Sequence, residues 1–365
     1  MNKKCLIVTF QNAFNYGAML QCYALQHTLE RNGVDVKVLN YENKVINDFY
    51  KIFYYPKNEK FLKKYLKSSI SALYFFRQLY GRNEKFKKFL ENNINLTKGY
   101  TKKELKSVSF GNDITLIAGS DQIWNTDLTN GFDDIYYLNF SKSSKKISYA
   151  ASIGKNEIDL KFLDNTQKCL DEFSYISVRE ETGKKEIEKK LNKKVDVVLD
   201  PTLLIERKEW EKSVTNNKIG DKYIFVYMAN DNVIKAAKYI SEKENLKIVN
   251  VSKKNYFGKK EINKFKSDPF EFLTLLSNAE YVITTSFHAT TFSMIFNKKI
   301  IVFPPKGLSS RITDLVEKLE LQDIIYNNFE ESEMKKYNNE INYEKSNKLL
   351  SELREESLER LLNNI

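Results

Sequence analysis

Between Glu280 and Pro304 the chain reads EYVITTSFHATTFSMIFNKKIIVFP, and this stretch leaves little choice of fold. Tyr281 to Thr284 is a β-branched run with the pattern of a buried strand. Helical spacing follows from Ala289 to Phe296, Asn297 interrupts it, and Lys299 to Phe303 is a second buried strand. Two such strands joined by a helix make a βαβ unit, which belongs in a parallel sheet covered on both faces. The turn after the first strand, Thr285-Ser286-Phe287-His288-Ala289, is small and polar. Ligands of open parallel sheets sit at the carboxyl ends of the strands, against the N-termini of the following helices. His288, one of two histidines in 365 residues, is therefore a candidate site residue, and Ser286 stands beside it.

The same alternation runs through most of the chain. Lys4 to Phe10, Val34 to Asn40, Ile114 to Ala118, Lys146 to Ala150, Tyr175 to Val178 and Val195 to Leu199 read as strands, with helices over Ala18 to Asn32, Ile158 to Glu172 and Glu181 to Leu191. Gly33 ends the first helix at its C′ position. After Pro201 the pattern restarts, with strands at Lys222 to Met228 and Leu246 to Val251, and helices at Asn232 to Lys243, Pro269 to Asn278 and Ser309 to Leu319. The expected organisation is an α/β chain with a Rossmann-like domain over 1–203, a second over 204–341, and a charged, leucine-spaced helix over 342–365.

The net charge of +11 is carried by one segment. Lys44 to Lys106 holds 16 Lys/Arg against 5 Asp/Glu, and the rest of the chain is balanced. Phe61, Tyr65, Leu66, Ile70, Leu73, Tyr74, Leu79, Phe86, Phe89 and Leu90 recur there at roughly helical spacing, so two or three amphipathic helices are expected as an insertion over about 44–106. The aromatics, which include Phe53, Tyr54, Tyr55, Phe75 and Phe76, fit core contacts. With the lysines they also fit a face resting on an anionic membrane. Cys5, Cys22 and Cys169 are scattered, which fits neither a disulfide framework nor a zinc site and points to a reducing cytoplasm. The apolar run of Met1 to Phe10 is too short for a signal-peptide core, and no run has the length of a membrane-spanning helix.

Several strand ends carry groups suited to sugars and anions. Ile114 to Ala118 runs into Gly119-Ser120-Asp121-Gln122-Ile123-Trp124-Asn125, where Asp121, Gln122 and Asn125 can hydrogen-bond hydroxyls and Trp124 offers a flat apolar face. The first loop, Asn12 to Gly17, brings Asn15 and Tyr16 to a helix start. It has one glycine and no GxGxxG, so a dinucleotide site is poorly supported. Arg179 closes another strand, Asp200-Pro201 follows the next, and Arg311 lies just inside a helix start.

Taken together, TFQNAFNYGAMLQCYALQ, IAGSDQIWN, SYAASIG, ISVREETG, VLDPTLL, TTSFHATTFSMIFNKKIIVF and SSRITDLVEKLEL resemble the polysaccharide pyruvyl transferase family, in order over nearly the full chain. The basic insertion is the least matched part. The resemblance implies a GT-B-like arrangement of two Rossmann-like domains facing a cleft. It also implies transfer of pyruvate from phosphoenolpyruvate to two hydroxyls of a cell-envelope or exopolysaccharide sugar, giving a cyclic ketal and phosphate. Such a donor carries a phosphate and a carboxylate, which planar guanidinium groups bind best. Arg179 and Arg311 are the candidates, with Lys306 a weaker one. His288 suits protonation of the donor's methylene carbon, and Asp121 suits deprotonation of the sugar hydroxyl, with Asp200 an alternative. Asn15, Tyr16, Gln122, Trp124 and Asn125 are the acceptor-side candidates. No cofactor or metal is expected, nor is nucleic acid, and the partners are phosphoenolpyruvate and a sugar or lipid-linked glycan. The rival readings are a nucleotide-sugar glycosyltransferase on the same architecture and a non-catalytic or nucleic-acid-binding protein.

Overall fold

A computed structural model describes residues 3–50, 69–111, 113–142, 144–215, 219–220, 222–305 and 310–365, with the side chains of 49, 50 and 69–76 left aside. The described strands are β1 (Lys4–Val8), β2 (Asp35–Val38), β3 (Ile114–Ala118), β4 (Lys145–Ser148), β5 (Ser177–Val178), β6 (Asp196–Val197), β7 (Tyr223–Tyr227), β8 (Lys247–Asn250), β9 (Glu261–Asn263), β10 (Tyr281–Thr284) and β11 (Lys299–Val302). They form two parallel sheets flanked by helices. The first has the order β2-β1-β3-β4, and the second β11-β10-β7-β8-β9. The β5-β6 pair continues the first sheet through the Ile147–Tyr175 and Ala151–Val178 bridges. Continuous apolar runs explain the central strands, since β7 and β10 are buried at every residue.

The Tyr16–Arg31 helix begins two residues earlier than its spacing suggests. Asn15 caps it by accepting the Gly17 and Ala18 amides at 2.9 and 3.4 Å, and Gly33 follows with a φ of 75°. Tyr16 and Trp210 reach the second sheet's helices. Tyr16 stacks on Phe272 at 4.5 Å and Trp210 meets Phe292 edge-on at 5.0 Å. The C-terminal helix, Tyr343–Asn363, returns to the first sheet. There Arg354 Nε donates to the Leu203 carbonyl at 2.7 Å, Ser357 Oγ accepts the Leu199 amide at 3.0 Å, and Arg360 pairs with Asp196.

In the basic segment, helices cover Lys44–Tyr50, Ser69–Asn93 and Lys102–Leu105. Phe86, Phe89 and Leu90 are buried in the core, which favours the packing role for those three. Arg82 donates to the Phe14 carbonyl at 2.7 Å and lies 4.2 Å from the Phe86 ring centre. Phe53, Tyr54, Tyr55, Phe61, Tyr65 and Leu66 lie outside the described residues, as do the side chains of Ile70, Leu73, Tyr74, Phe75 and Phe76. Among the described residues no helix is long and apolar enough to cross a membrane.

Candidate active site

The carboxyl ends of four strands of the first sheet converge on Arg179. Ser120 and Asp121 follow β3, Ser152 follows β4, Arg179 and Glu180 follow β5, and Asp200 follows β6. The Arg179 side chain is 2% exposed, and its Nη1 donates to Asp200 Oδ2 at 2.7 Å. Its guanidinium stands 4.6 Å from the Phe287 ring centre. Asp121 Oδ1 is 3.8 Å from Nη2 and Glu180 Oε2 is 3.9 Å from Nε, both too far for hydrogen bonds. Arg179 Nε and Nη2 therefore keep their hydrogens unengaged among the described residues. Burial opposes the guanidinium charge, but Asp200, Asp121 and Glu180 together outweigh it and raise its pKa.

Asp200 is fully buried and saturated. Oδ1 accepts the Thr202 amide at 3.0 Å and the Thr202 hydroxyl at 2.7 Å, while Oδ2 accepts from Arg179 and from Ser120 Oγ at 3.3 Å. Burial by itself would raise its pKa. The approach of His288 and the Arg179 charge overcome that and hold the carboxyl well below the usual carboxylate range. Asp-Pro here is thus both the cap of the Pro201–Leu204 turn of helix and the counter-ion of the site.

His288 arrives from the second sheet, at the second residue of the Phe287–Ile295 helix after β10. Its Nε2 lies 3.6 Å from Asp200 Oδ2, an ion-pair distance rather than a hydrogen bond, and has no hydrogen-bond partner among the described residues. The other side of the ring rests on the start of the Tyr16–Arg31 helix, where a Cβ on Gly17 would fall 2.0 Å from Nδ1. Gly17, the one glycine of the first loop, makes room for the imidazole. Gly17→Ala is expected to displace the ring and lower turnover by about 10²-fold, the cost of an ångström-scale misplacement. Steady-state assay beside a melting curve checks this, and full activity in the variant would show that the ring has no fixed post.

Asp121 sits at φ 75°, a left-handed conformation that strains a non-glycine residue. The Ser152 amide bonded to its carbonyl at 3.0 Å and the Gln122 amide bonded to its own Oδ1 at 2.8 Å hold it there. Arg311, at the second residue of the Ser310–Lys318 helix, makes no hydrogen bond or salt bridge among the described residues. It is near enough that burial and the Arg179 charge lower its pKa, against Glu180, Asp121 and Asp200. The structure thus brings His288, Asp121, Arg179 and Arg311 to one place. Ser286 is adjacent, its Oγ accepting the Ala289 amide at 3.4 Å as the helix cap. Lys306 lies outside the described residues.

The acceptor-side candidates fare differently. Trp124 is 4% exposed, stacks on Tyr137 at 5.4 Å and donates from Nε1 to the Tyr136 carbonyl, so its face is covered. Tyr16 is buried with its hydroxyl on the Ser267 carbonyl at 3.0 Å. Both are packing residues. The Asn15 carboxamide serves as the helix cap already described. The Asn125 amide is held by Gln122 Oε1 at 2.9 Å, in a loop pressed so closely on Gly154 that a Cβ there would meet Gln122 Oε1 at 2.2 Å. Glu180, Ser120, Ser152 and Phe287 were not foreseen as contributors. The only trace of Glu180, Ser120 and Ser152 in the sequence is the recurrence of small or polar residues after each strand, and Phe287 leaves none. Among the described residues no group of three or more His, Cys, Asp or Glu could hold a metal ion.

The polysaccharide pyruvyl transferase family profile matches residues 15–307. The chain belongs to the polysaccharide pyruvyl transferase family. The match bears out the family resemblance and spans all of the quoted segments except 309–321 and the start of the first, and this family member is a sugar-modifying enzyme. No curated protein matches. Among solved structures the chain is similar in fold to S. aureus MnaA, solved with UDP, at TM-score 0.55 and 13% identity over 100% of this chain and 95% of that one. It is also similar to UDP-GlcNAc 2-epimerase from Methanocaldococcus jannaschii at TM-score 0.51 and 13% identity, covering 92% and 91%. The UDP-N-acetylglucosamine 2-epimerase from Rickettsia bellii gives TM-score 0.51 and 10% identity, covering 100% and 96%. These likenesses concern the fold alone, an α/β arrangement of parallel sheets flanked by helices.

Proposed function

We propose that the chain transfers pyruvate from phosphoenolpyruvate to two hydroxyls of a sugar in an envelope or exopolysaccharide precursor, across a cleft between two Rossmann-like domains. The observation that carries this reading is the buried Arg179, whose Nε and Nη2 have no hydrogen-bond partner among the described residues, with Arg311 near enough to feel its charge and His288 on the far side of Asp200. A donor with a phosphate and a carboxylate needs two such forks. His288 gives its proton to the methylene carbon, leaving an oxocarbenium-like centre at C2. One sugar hydroxyl attacks it as Asp121 takes that hydroxyl's proton. The C2–O bond to phosphate then breaks, the leaving phosphate takes the proton from Asp121, and the second hydroxyl closes the ketal and returns a proton to His288. Asp121 fits the base role better than Asp200, whose oxygens are already filled and whose carboxyl is held far below neutrality.

Arg311→Ala tests the donor site, because Arg311 makes no salt bridge among the described residues and Glu180, whose charge it helps to offset, keeps Arg179 beside it. Phosphoenolpyruvate affinity should fall by about 2–5 kcal/mol in titration calorimetry if the contact is desolvated and charge-assisted. Unchanged affinity would move the donor elsewhere. A second reading, a nucleotide-sugar enzyme, is favoured by the solved structures, which lean toward it more than toward pyruvyl transfer. Thermal stabilisation by phosphoenolpyruvate and not by UDP or UDP-sugars supports the first reading, and the reverse supports the second. Contact of the Lys44–Lys106 segment with an anionic membrane rests on charge alone. Co-sedimentation with anionic vesicles at low ionic strength, lost at high salt, is the expected result.

A further inference from the structure

Glu180 is a buried carboxyl of the site to which the reaction above gives no part. Its side chain is 2% exposed, and it precedes the Glu181–Leu191 helix with extended backbone. Oε1 accepts the Ser152 hydroxyl at 2.8 Å, and Ser152 Oγ accepts the Gly154 amide at 3.0 Å. Oε2 has no hydrogen-bond partner among the described residues and faces Arg179 Nε, also unpartnered, across 3.9 Å. A buried acceptor and a buried donor that face each other without bonding form a place where a third polar group can join them.

The charges around Glu180 come from three elements. Arg179 adjoins it at the end of β5, and Arg311 and Asp314 face it from the Ser310–Lys318 helix. Behind Arg179 stand Asp200 and Asp121, which share that guanidinium, and His288 lies beyond Asp200. Burial is the dominant influence and raises the Glu180 carboxyl above its ordinary range, against the two arginines and the Ser152 hydrogen bond. An ionised Glu180 would compete with an incoming anion for Arg179. A neutral one presents a hydroxyl to it.

We propose that Glu180 takes up a proton when a phosphate-bearing ligand settles on Arg179 and Arg311, and that its Oε2–H then donates a hydrogen bond to that anion. The inference rests on the reading of the arginine pair as an anion site. The proton comes from solvent, forms the O–H bond, and returns when the anion leaves. Asp200 cannot serve in this way because both its oxygens are filled, and Asp121 already has the part of base in the proposed reaction.

The test is calorimetric titration of inorganic phosphate, phosphoenolpyruvate and UDP near neutral pH, in two buffers of different ionisation heat. The wild-type protein should take up close to one proton more per ligand than Glu180→Gln, because contributions from the ligand and from groups common to both proteins cancel in the difference. The variant should bind at least as tightly, and its affinity should lose about tenfold less per unit rise in pH. Gln keeps an oxygen for Ser152 and mimics the neutral acid. Ser152→Ala, which leaves Glu180 ionisable but removes its hydrogen bond, should give a smaller uptake than wild type. If phosphoenolpyruvate binds with equal uptake in wild type and Glu180→Gln, the inference is overturned and the donor reading stands. If phosphate or UDP binds with the Glu180-dependent uptake and phosphoenolpyruvate does not bind, the donor reading fails and the inference stands. Failure of all three anions to bind overturns both.

Discussion

His288→Ala should lower turnover by about 10²- to 10⁴-fold, the usual scale of general acid catalysis, with little change in melting temperature. The ring sits between the first turn of the Tyr16–Arg31 helix and Asp200, yet its Nε2 makes no hydrogen bond among the described residues. A histidine kept for structure would have its buried nitrogens satisfied. Asp200 retains Arg179, Ser120 and Thr202 when the imidazole is removed, so the fold loses little. His288→Gln separates the two roles. An amide can fill the space and hydrogen-bond, but it cannot deliver a proton, so the Gln variant should be as slow as the Ala variant. Recovery of most of the rate with Gln, or full activity with Ala, would assign the ring to packing. Phosphate release under saturating donor is the measurement, with a melting curve as the folding control.

The strands that position these residues were legible because a strand buried on both faces needs a continuous apolar run. β3 and β10 fall where the sequence places them, and β1, β7, β8 and β11 differ only at their ends. β9 escaped notice because Glu261–Asn263 is three residues long and not apolar. Within the candidate site, chain position pointed to Arg179, His288 and Asp121, since strand ends are where a parallel sheet gathers ligand groups, and the structure places the three close together. Chain position did not reveal the pairing of Arg179 with Asp200, because side-chain direction at two separate strand ends is decided by packing and has no local signature. Trp124 and Tyr16 illustrate the opposite error. An aromatic among amides suits a sugar platform and a loop core equally well, and only burial separates the two. Gly17 was seen, but its reason lies on another segment 271 positions away, in the ring of His288.

Asp200→Asn should destabilise the protein by about 3–5 kcal/mol, the cost of leaving one partner of a buried ion pair uncompensated. Arg179 is nearly as buried as Asp200, and the only side-chain hydrogen bond it makes among the described residues goes to Asp200 Oδ2 at 2.7 Å. Asn keeps an oxygen for Thr202, so the cap of the Pro201–Leu204 helix survives and the loss reports the charge. Adding Arg179→Met to Asp200→Asn should recover much of the stability, because a buried pair replaced on both sides by groups of similar shape strands no charge. The pH dependence has a definite sign. The folded carboxyl is held below its unfolded value of about 3.9, so its contribution is complete above that value and drains away as the pH falls toward the folded pKa. The gap in stability between wild type and Asp200→Asn should therefore be constant from pH 8 to about 5 and shrink below about 4. Chemical denaturation across that range measures it. A gap that stays constant into strong acid, or a double variant no more stable than the single one, would show that the Arg179–Asp200 pair does not hold the site together.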